Sequence, residues 1–353
     1  MLSTSVAKLL LRPRPPSVFP APFAATQPLR FFSSAPEVPK KTTSLSLISK
    51  RRRNKPITMV TAYNYPSAVH VSRAAIDIIL VGDSLAMVEL GMPTTQPVTM
   101  DAMIHHCQAV ARGATTPLLV GDMPLGSYEI NTDEALRNAY RFIKEAGMDA
   151  VKLEGNRPET VRKLVDGGVA VMGHVGLTPQ AISVIGGFRA QGRTAVKARQ
   201  VLDDALSLQE AGAFAIVLEC VPAPVAAAVT AALEIPTIGI GAGGGTSGQV
   251  LVYHDMLGMT SSPHHEAFMP KFCKQYAQVG AQIQSGLEQY KKEVESGTFP
   301  GEAFSPYEMS EEEEAAFQEM LKSDQGQRQR KQGEIGEKLK NQDEYDTLNL
   351  YGK

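Results

Sequence analysis

Four apolar runs in the chain end in a carboxylate. Ala150-Val151-Lys152-Leu153 leads to Glu154, Ile78-Ile79-Leu80-Val81-Gly82 to Asp83, Leu118-Leu119-Val120-Gly121 to Asp122, and Ala215-Ile216-Val217-Leu218 to Glu219. Side chains alternate along a strand, so Lys152 and Glu154 share one face while Val151 and Leu153 take the other. A lysine and a glutamate on a buried face are costly unless they are paired or used. Carboxylates gathered at strand ends suggest an oxygen-ligand site for a divalent cation, since Mg²⁺ takes one or two carboxylates together with waters and substrate oxygens. Asp83 and Asp122 are the expected direct ligands. Glu154, with the longer reach, either ligates or holds a water in the metal's sphere.

The remaining polar residues of these runs fit chemistry on a 2-oxo acid. Lys152 either pairs an anionic group of the substrate or forms a Schiff base, and a nearby divalent cation favours the pairing role. Ser84, next to Asp83, is placed to donate a hydrogen bond at the same spot. Glu219 is the candidate general base, because a keto acid chelated by a metal has an acidified carbon that one carboxylate can deprotonate. His174 lies on a further apolar run, Val169 to Gly176. It reads equally as a site residue and as a satisfied core histidine. The plainer reading of the acids makes each one a buried ion-pair partner or a helix cap. It is even with the functional reading for any single acid and weaker for four together, because buried charges are expensive.

The elements that would position these groups follow a simple rhythm. Ile57 to Ala62 reads as a strand, Tyr65 opens a helical pattern to Ala75, and the run to Asp83 follows. A Gly/Pro/Thr-rich loop (Gly91 to Pro97) precedes a helix with Met103, Ile104, Cys107 and Val110 at helical spacing. After the Asp122 run comes a helix with Asn131 as N-cap, Glu134 three residues on, and Gly147 as its stop. Pro158 suits the first turn of the next helix, which Gly167-Gly168 closes. The strand with His174 leads into a glycine- and arginine-rich loop, Leu177 to Arg193. A helix is expected from about Ala198 to Ala211, then the Glu219 strand, an Ala/Val helix, the strand from Thr237, and a last strand over Val250 to Leu257.

Alternating βα units with continuous apolar strands imply an α/β protein with a parallel sheet covered on both faces. Eight β-like runs point to a TIM (β/α)8 barrel, in which functional residues sit at the C-terminal ends of strands. The connection between the seventh and eighth strands is too short for a full helix. A doubly wound open sheet is the alternative. The Gly-Ile-Gly-Ala-Gly stretch (Gly239 to Gly243) does not sit in a complete dinucleotide-binding unit, and in a late barrel loop it reads as close approach of backbone to a ligand.

Composition narrows the function classes. A net charge of −2 over 353 residues gives no electrostatic case for nucleic acid. No apolar run is long enough for a membrane span. Cys107, Cys220 and Cys273 have no CxxC spacing, fit a reducing compartment, and read as small buried apolar residues. Residues 1–36 carry Lys8, Arg12, Arg14 and Arg30, many Ser, Ala and Pro, and no acid, which is the composition of a transit peptide with mitochondrion ahead of plastid. Arg30-Phe31-Phe32-Ser33-Ser34 resembles a matrix-processing site. Residues 43–50 could form a short helix, and the basic run Lys50 to Lys55 reads as solvated surface. The polar stretch 303–353 reads as a solvated helix or disordered tail without chemistry.

At these residues the chain resembles the ketopantoate hydroxymethyltransferase (3-methyl-2-oxobutanoate hydroxymethyltransferase) family. The matching stretches include Thr61-Ala62-Tyr63-Asn64-Tyr65, Val81-Gly82-Asp83-Ser84-Leu85, Val151-Lys152-Leu153-Glu154-Gly155 and Gly173-His174-Val175-Gly176-Leu177-Thr178-Pro179-Gln180. Gly186-Gly187-Phe188, Gln191-Gly192-Arg193, Leu218-Glu219-Cys220-Val221-Pro222 and Phe299-Pro300-Gly301-Glu302 extend the resemblance over residues 43–302. It implies a barrel of the phosphoenolpyruvate/pyruvate type. It also implies hydroxymethyl transfer from 5,10-methylenetetrahydrofolate to 3-methyl-2-oxobutanoate, giving 2-dehydropantoate on the way to pantothenate. Carried over by position, Asp83 and Asp122 bind Mg²⁺ and the substrate, with Glu154 in the metal's sphere. Ser84 and Lys152 hold the keto acid, Glu219 is the proton acceptor, and His174 gains weight as a site residue. The family further implies a homo-oligomer, a decamer in many bacteria, and the N-terminal extension agrees with a mitochondrial matrix member.

Ala86 and Ser247 depart from the residues common in that family, Gly and an acid respectively, and both flank the metal site rather than form it. Two rivals stand beside this reading. One is a C–C lyase or mutase acting on a metal-chelated 2-oxo acid, although the Lys-Lys-Cys-Gly-His loop typical of the lyases is absent from the sequence. The other is an inactive metabolite-binding scaffold, which the presence of every site acid disfavours.

Overall fold

A computed structural model of the chain describes residues 40–187, 189–259, 270–305 and 307–322. The expected transit peptide, the end of the polar tail, Phe188 of the Gly-Gly-Phe motif and the segment 260–269 lie outside the described residues. The first half runs α1 (Ser44–Arg52), β1 (Ile57–Thr61), α2 (Tyr65–Arg73), β2 (Ile78–Val81), α3 (Leu85–Val88), α4 (Met100–Gly113), β3 (Leu118–Asp122), α5 (Thr132–Lys144) and β4 (Ala150–Lys152). The second half runs α6 (Pro158–Asp166), β5 (Val171–Gly176), α7 (Ile182–Ile185), α8 (Ala195–Glu210), β6 (Ala215–Glu219), α9 (Ala223–Ala232), β7 (Thr237–Ile240), β8 (Gly248–Leu251), α10 (Tyr253–Met256) and α11 (Val279–Glu295).

The strands form a closed barrel in the order β1 to β8, all parallel, with β1 pairing back to β8. The eightfold βα rhythm of the sequence therefore reports the architecture, and the open-sheet alternative falls. Closure separates the apolar residues into two sets. Ile57, Met59, Ile78, Leu80, Leu118, Val120, Ala150, Met172, Ala215, Val217, Ile238 and Val250 fill the barrel interior. Their neighbours on each strand, such as Val60, Ile79, Val81, Leu119, Val151, Val171, Ile216 and Leu218, face outward onto the helices. Strands buried on both faces have to be continuously apolar, which is why their sequences show no alternation.

Local signals set the helix ends. Thr43, Asn64, Thr99, Asn131 and Thr194 each accept an N-terminal amide hydrogen bond as N-caps. Asn131 Oδ1 takes the Glu134 amide at 2.8 Å, as the sequence suggests. Pro158 occupies the first turn of α6. No helix separates β7 from β8, in agreement with the short connection.

Three sequence expectations are corrected here. The expected strand Val250 to Leu257 stops at Leu251, and Tyr253–Met256 forms a helical turn whose first amide bonds Thr61 Oγ1 at 2.9 Å. The helix expected from Ala198 starts at Ala195, because Thr194 caps it. The basic run is not idle surface. Lys50 forms an ion pair with Asp77, a residue that also accepts from the Thr58 backbone amide at 2.9 Å. Arg51 donates to the Thr230, Leu233 and Glu234 carbonyls at the end of α9. These bonds hold α1 across one end of the barrel, where Leu47 is fully buried within the interior apolar set.

Beyond the barrel, α11 leaves Ile283, Leu287, Tyr290 and Val294 exposed at successive helical turns. The acidic start of the polar tail is helical and exposed over residues 311–322. Among the described residues, no helix is long and apolar enough to cross a membrane.

Candidate active site

The interior ladder of each strand turns polar at its C-terminal end. Leu118 and Val120 are followed inward by Asp122, Ala150 by Lys152 and then Glu154, Met172 by His174, and Ala215 and Val217 by Glu219. Strand alternation thus carries all of these groups to one mouth of the barrel. Asp83 and Ser84 follow β2, with Asp83 at the turn that starts α3. Asp83, Ser84, Asp122, Lys152, Glu154, His174 and Glu219 all line one cavity of about 820 Å³. The structure brings together every residue that the sequence singled out for the site.

Two backbone features set Glu219. Cys220 takes a left-handed conformation, φ 50°, which bends the chain just after β6. Gly176, φ +96°, lies against β6 so closely that an added Cβ would stand 2.3 Å from the Glu219 carbonyl oxygen. Only glycine permits both the conformation and the approach.

Lys152 is the hub of the buried charges. Its Nζ stands 2.9 Å from Asp122 Oδ1, 3.7 Å from Glu154 Oε1 and 3.2 Å from His174 Nδ1. Burial alone would lower its pKa, but the carboxylates of Asp122, Glu154 and Asp83 outweigh that effect and raise it, so the ammonium stays charged. Burial raises Asp122 to about 7 despite Lys152, and raises Glu154 well above the usual carboxylate range. Burial and the neighbouring ammonium lower His174, which is neutral at pH 7. An ammonium only donates, so Nδ1 of that neutral ring accepts and the proton sits on Nε2. Nε2 faces Glu219 Oε2 at 3.3 Å, a long contact that falls short of a closed hydrogen bond.

The donor set fits a hard divalent cation. Asp83 Oδ2 and Asp122 Oδ1 are buried acceptors without a hydrogen bond partner, and Asp122 Oδ1 faces the Lys152 ammonium as an ion pair at 2.9 Å. The other Asp122 oxygen accepts the Asp83 amide at 3.2 Å, which fixes the two carboxylates side by side. Among the described residues, no three His, Cys, Asp or Glu side chains form a ready ligand set. Mg²⁺ needs only one or two carboxylates, since waters and substrate oxygens complete its shell. Glu154 belongs at the edge of this arrangement, since its Oε2 is taken by the Gln180 amide at 3.1 Å.

Three supports of the site carry no role in the sequence reading. Tyr128 donates to Gln180 Oε1 at 2.5 Å and accepts the Glu154 amide at 3.3 Å, while Gln180 Nε2 donates to the Met123 carbonyl at 3.0 Å. The Tyr63 hydroxyl lies 2.8 Å from Ser84 Oγ. His254 Nε2 pairs with Glu89 at 3.1 Å, and Glu89 also accepts from Asn64 at 2.8 Å. Tyr63 and Gln180 sit inside stretches quoted above, so their positions were visible without their partners. Tyr128 has no local sequence signal. Cys107 is buried as expected, whereas Cys220 and Cys273 are half-buried on the cavity wall. Ser247 does not line that cavity and bonds to Thr237 across the β7–β8 connection.

Comparison with known proteins gives consistent matches. The model of the family described as ketopantoate hydroxymethyltransferase matches residues 41–302. The chain is 59% identical over 274 residues to 3-methyl-2-oxobutanoate hydroxymethyltransferase 1, mitochondrial, of Oryza sativa subsp. japonica, covering 77% of this chain and 75% of that one. It is 54% identical over 309 residues to the protein of the same name from Arabidopsis thaliana, covering 84% and 89%. It is 53% identical over 264 residues to the 3-methyl-2-oxobutanoate hydroxymethyltransferase of Heliobacterium modesticaldum, covering 74% and 94%. Among solved structures, 2,3-dimethylmalate lyase, a PEP mutase/isocitrate lyase superfamily member, is similar with a TM-score of 0.44 at 14% identity, over 82% of this chain and 99% of that one.

Proposed function

The chain belongs to the ketopantoate hydroxymethyltransferase family, and from that premise we propose that it transfers a hydroxymethyl group from 5,10-methylenetetrahydrofolate to 3-methyl-2-oxobutanoate. With one water consumed, the products are 2-dehydropantoate and tetrahydrofolate, a step of pantothenate synthesis. The observation that carries the reading is the convergence of Asp83, Asp122, Lys152, Glu154, His174 and Glu219 on one cavity.

Asp83 and Asp122 would hold the divalent cation, with Glu154 contributing through a water. Bound there, Mg²⁺ would supply Lewis-acid polarisation of the 2-oxo acid's oxygens and so acidify C3. Lys152 offsets the charge of the substrate carboxylate, and Ser84, backed by Tyr63, donates a hydrogen bond to the same acid. Glu219 takes the C3 proton. The neutral His174 holds its Nε2–H toward Glu219 and orients that carboxylate. The carbanion at C3 forms the new C–C bond to the one-carbon unit, whose C–N bonds to the folate break as water supplies the hydroxyl oxygen.

The domain reading follows. Residues 1–36 serve as a transit peptide, 43–302 as the catalytic barrel and 303–353 as a polar tail. A mitochondrial location is supported by the names of the plant relatives. A homo-oligomer, its number of copies left open, is supported by the exposed apolar stripe of α11.

The test is exchange of the C3 proton of 3-methyl-2-oxobutanoate with solvent deuterium, with Mg²⁺ or EDTA, for the wild type and Glu219→Gln. Exchange that needs the metal and Glu219, and formation of 2-dehydropantoate on adding the folate, is the expected result. Metal-independent exchange would overturn the role given to the cation, and exchange that persists in Glu219→Gln would overturn the assignment of the base.

A further inference from the structure

The cavity is electrically divided. Asp83, Asp122, Glu154 and Glu219 stand at its floor with the Lys152 ammonium, all accounted for by the 2-oxo acid and its metal, and Asp255 adds one more carboxylate to the lining. Its lining also includes Arg189, Arg193 and Lys271, which are exposed and therefore stand at the mouth. Among the described residues, no hydrogen bond or ion pair engages these three side chains. Arg189 and Arg193 come from the connection after β5, and Lys271 from the segment after β8. The lining also has apolar members. Pro222 is one, and the Phe272 ring lies over Gly241 so closely that an added Cβ would meet the ring at 2.6 Å.

A cavity of about 820 Å³ is far larger than a small branched 2-oxo acid needs, and it falls in the size range of sites for much larger ligands, about 300–1,000 Å³. The second substrate must therefore fill the outer part. A flat heteroaromatic ring suits the Phe272 wall. The cations beyond it suit a ligand whose negative charges are carried on a chain that leaves the ring and runs outward. The net charge of −2 offers an anion no general attraction, so local cations have to supply it.

Resting on the folate reading above, we infer that Arg189, Arg193 and Lys271 form a binding site for the γ-linked glutamate tail of the folate cosubstrate, and that the enzyme favours polyglutamylated over monoglutamylated folate. Each pair is exposed, so each contributes modestly, about two- to fivefold in affinity. The preference weakens with salt, as the Debye length falls from about 10 Å at 0.1 M to about 3 Å at 1 M.

The experiment is steady-state kinetics of the full chain with mono- and pentaglutamyl 5,10-methylenetetrahydrofolate, together with calorimetric binding of a γ-glutamate pentapeptide. The KM ratio between the two folates is expected to exceed tenfold at low salt in the wild type. It should shrink in Arg189→Ala, Arg193→Ala and Lys271→Ala, vanish in the triple variant, and be largely restored by Arg193→Lys at that position. A general structural defect would change both KM values together and leave the ratio intact. Equal KM values in the wild type, or a ratio unchanged in the triple variant, would overturn the inference while leaving the transferase reading in place. Failure of that reading shows differently: no 2-dehydropantoate forms with either folate. In that event, pentapeptide binding that is lost in the triple variant still supports the anion-chain site, and absent binding removes it.

Discussion

Lys152 Nζ and Asp122 Oδ1 lie 2.9 Å apart on neighbouring strands, at paired positions of the β3–β4 register. The pair is nearly inaccessible to water, and among the described residues the ammonium is the permanent cation facing Asp83, Asp122 and Glu154. Removing it leaves carboxylates buried without compensation. Lys152→Met is expected to destabilise the metal-free protein by about 3–5 kcal/mol in denaturant unfolding. In turnover it should raise the KM for the 2-oxo acid.

The raised pKa of Asp122 has a consequence for stability. Its unfolded value is about 3.9 and its folded value is about 7. The protonated carboxyl therefore favours the folded state below the unfolded value, and that contribution is lost as pH rises through about 7. A cation bound to the carboxylate relieves the penalty. Mg²⁺ should raise the melting temperature more at pH 8 than at pH 6, and Asp122→Asn should flatten the metal-free pH profile between them. Equal metal-induced shifts at both pH values would remove Asp122 as the titrating group.

Tyr128 fixes Glu154 without touching the cavity floor. Tyr128→Phe strands the Gln180 Oε1 acceptor and loosens the Glu154 backbone. A buried unsatisfied acceptor costs about 1–3 kcal/mol. The expected outcome is a lower unfolding free energy of that size and a several-fold drop in kcat, with the fold unchanged by circular dichroism.

Gly176→Ala sets a Cβ against the Glu219 carbonyl at a conformation that L residues rarely adopt. Strain of this kind costs about 1–3 kcal/mol, and relief moves the β6 end that carries Glu219, the proposed base. Proton exchange at C3 should fall more steeply than substrate affinity, which separate measurements of kcat and KM would reveal.

Leu47 is the plug at the far end of the barrel. Leu47→Ala removes a fully buried side chain and should cost about 2–5 kcal/mol in stability. The site is at the opposite end of the strands, so kcat at a temperature where the variant is folded should be close to that of the wild type.

The acids were legible because strand alternation is a local rule. Once Ala150, Lys152 and Glu154 are read as one face, their meeting with Asp122 and His174 needs only a closed parallel sheet. Asn131 and Pro158 were legible for the same reason, since caps and first-turn prolines act within a few residues. The turn Tyr253–Met256 was hidden because no glycine or proline separates it from β8, and its first amide is satisfied by Thr61, 192 residues earlier. The basic run was misread because the partners of Lys50 and Arg51, Asp77 and the end of α9, are distant in sequence. Gln180 could be seen in its motif, but the choice of Tyr128 and Met123 as partners is made by the fold alone.

The clasp formed by α1 also orders events in time. Ile57 at the start of the barrel pairs with Gly248 near its end, and Arg51 waits for the carbonyls of Thr230 to Glu234. A chain emerging from the ribosome cannot close this seam, or seat its first helix, until nearly all the strands have been synthesised. Contacts so far apart in sequence form slowly. The first strand of the barrel thus waits for the last, and the seam between them closes only when both have arrived.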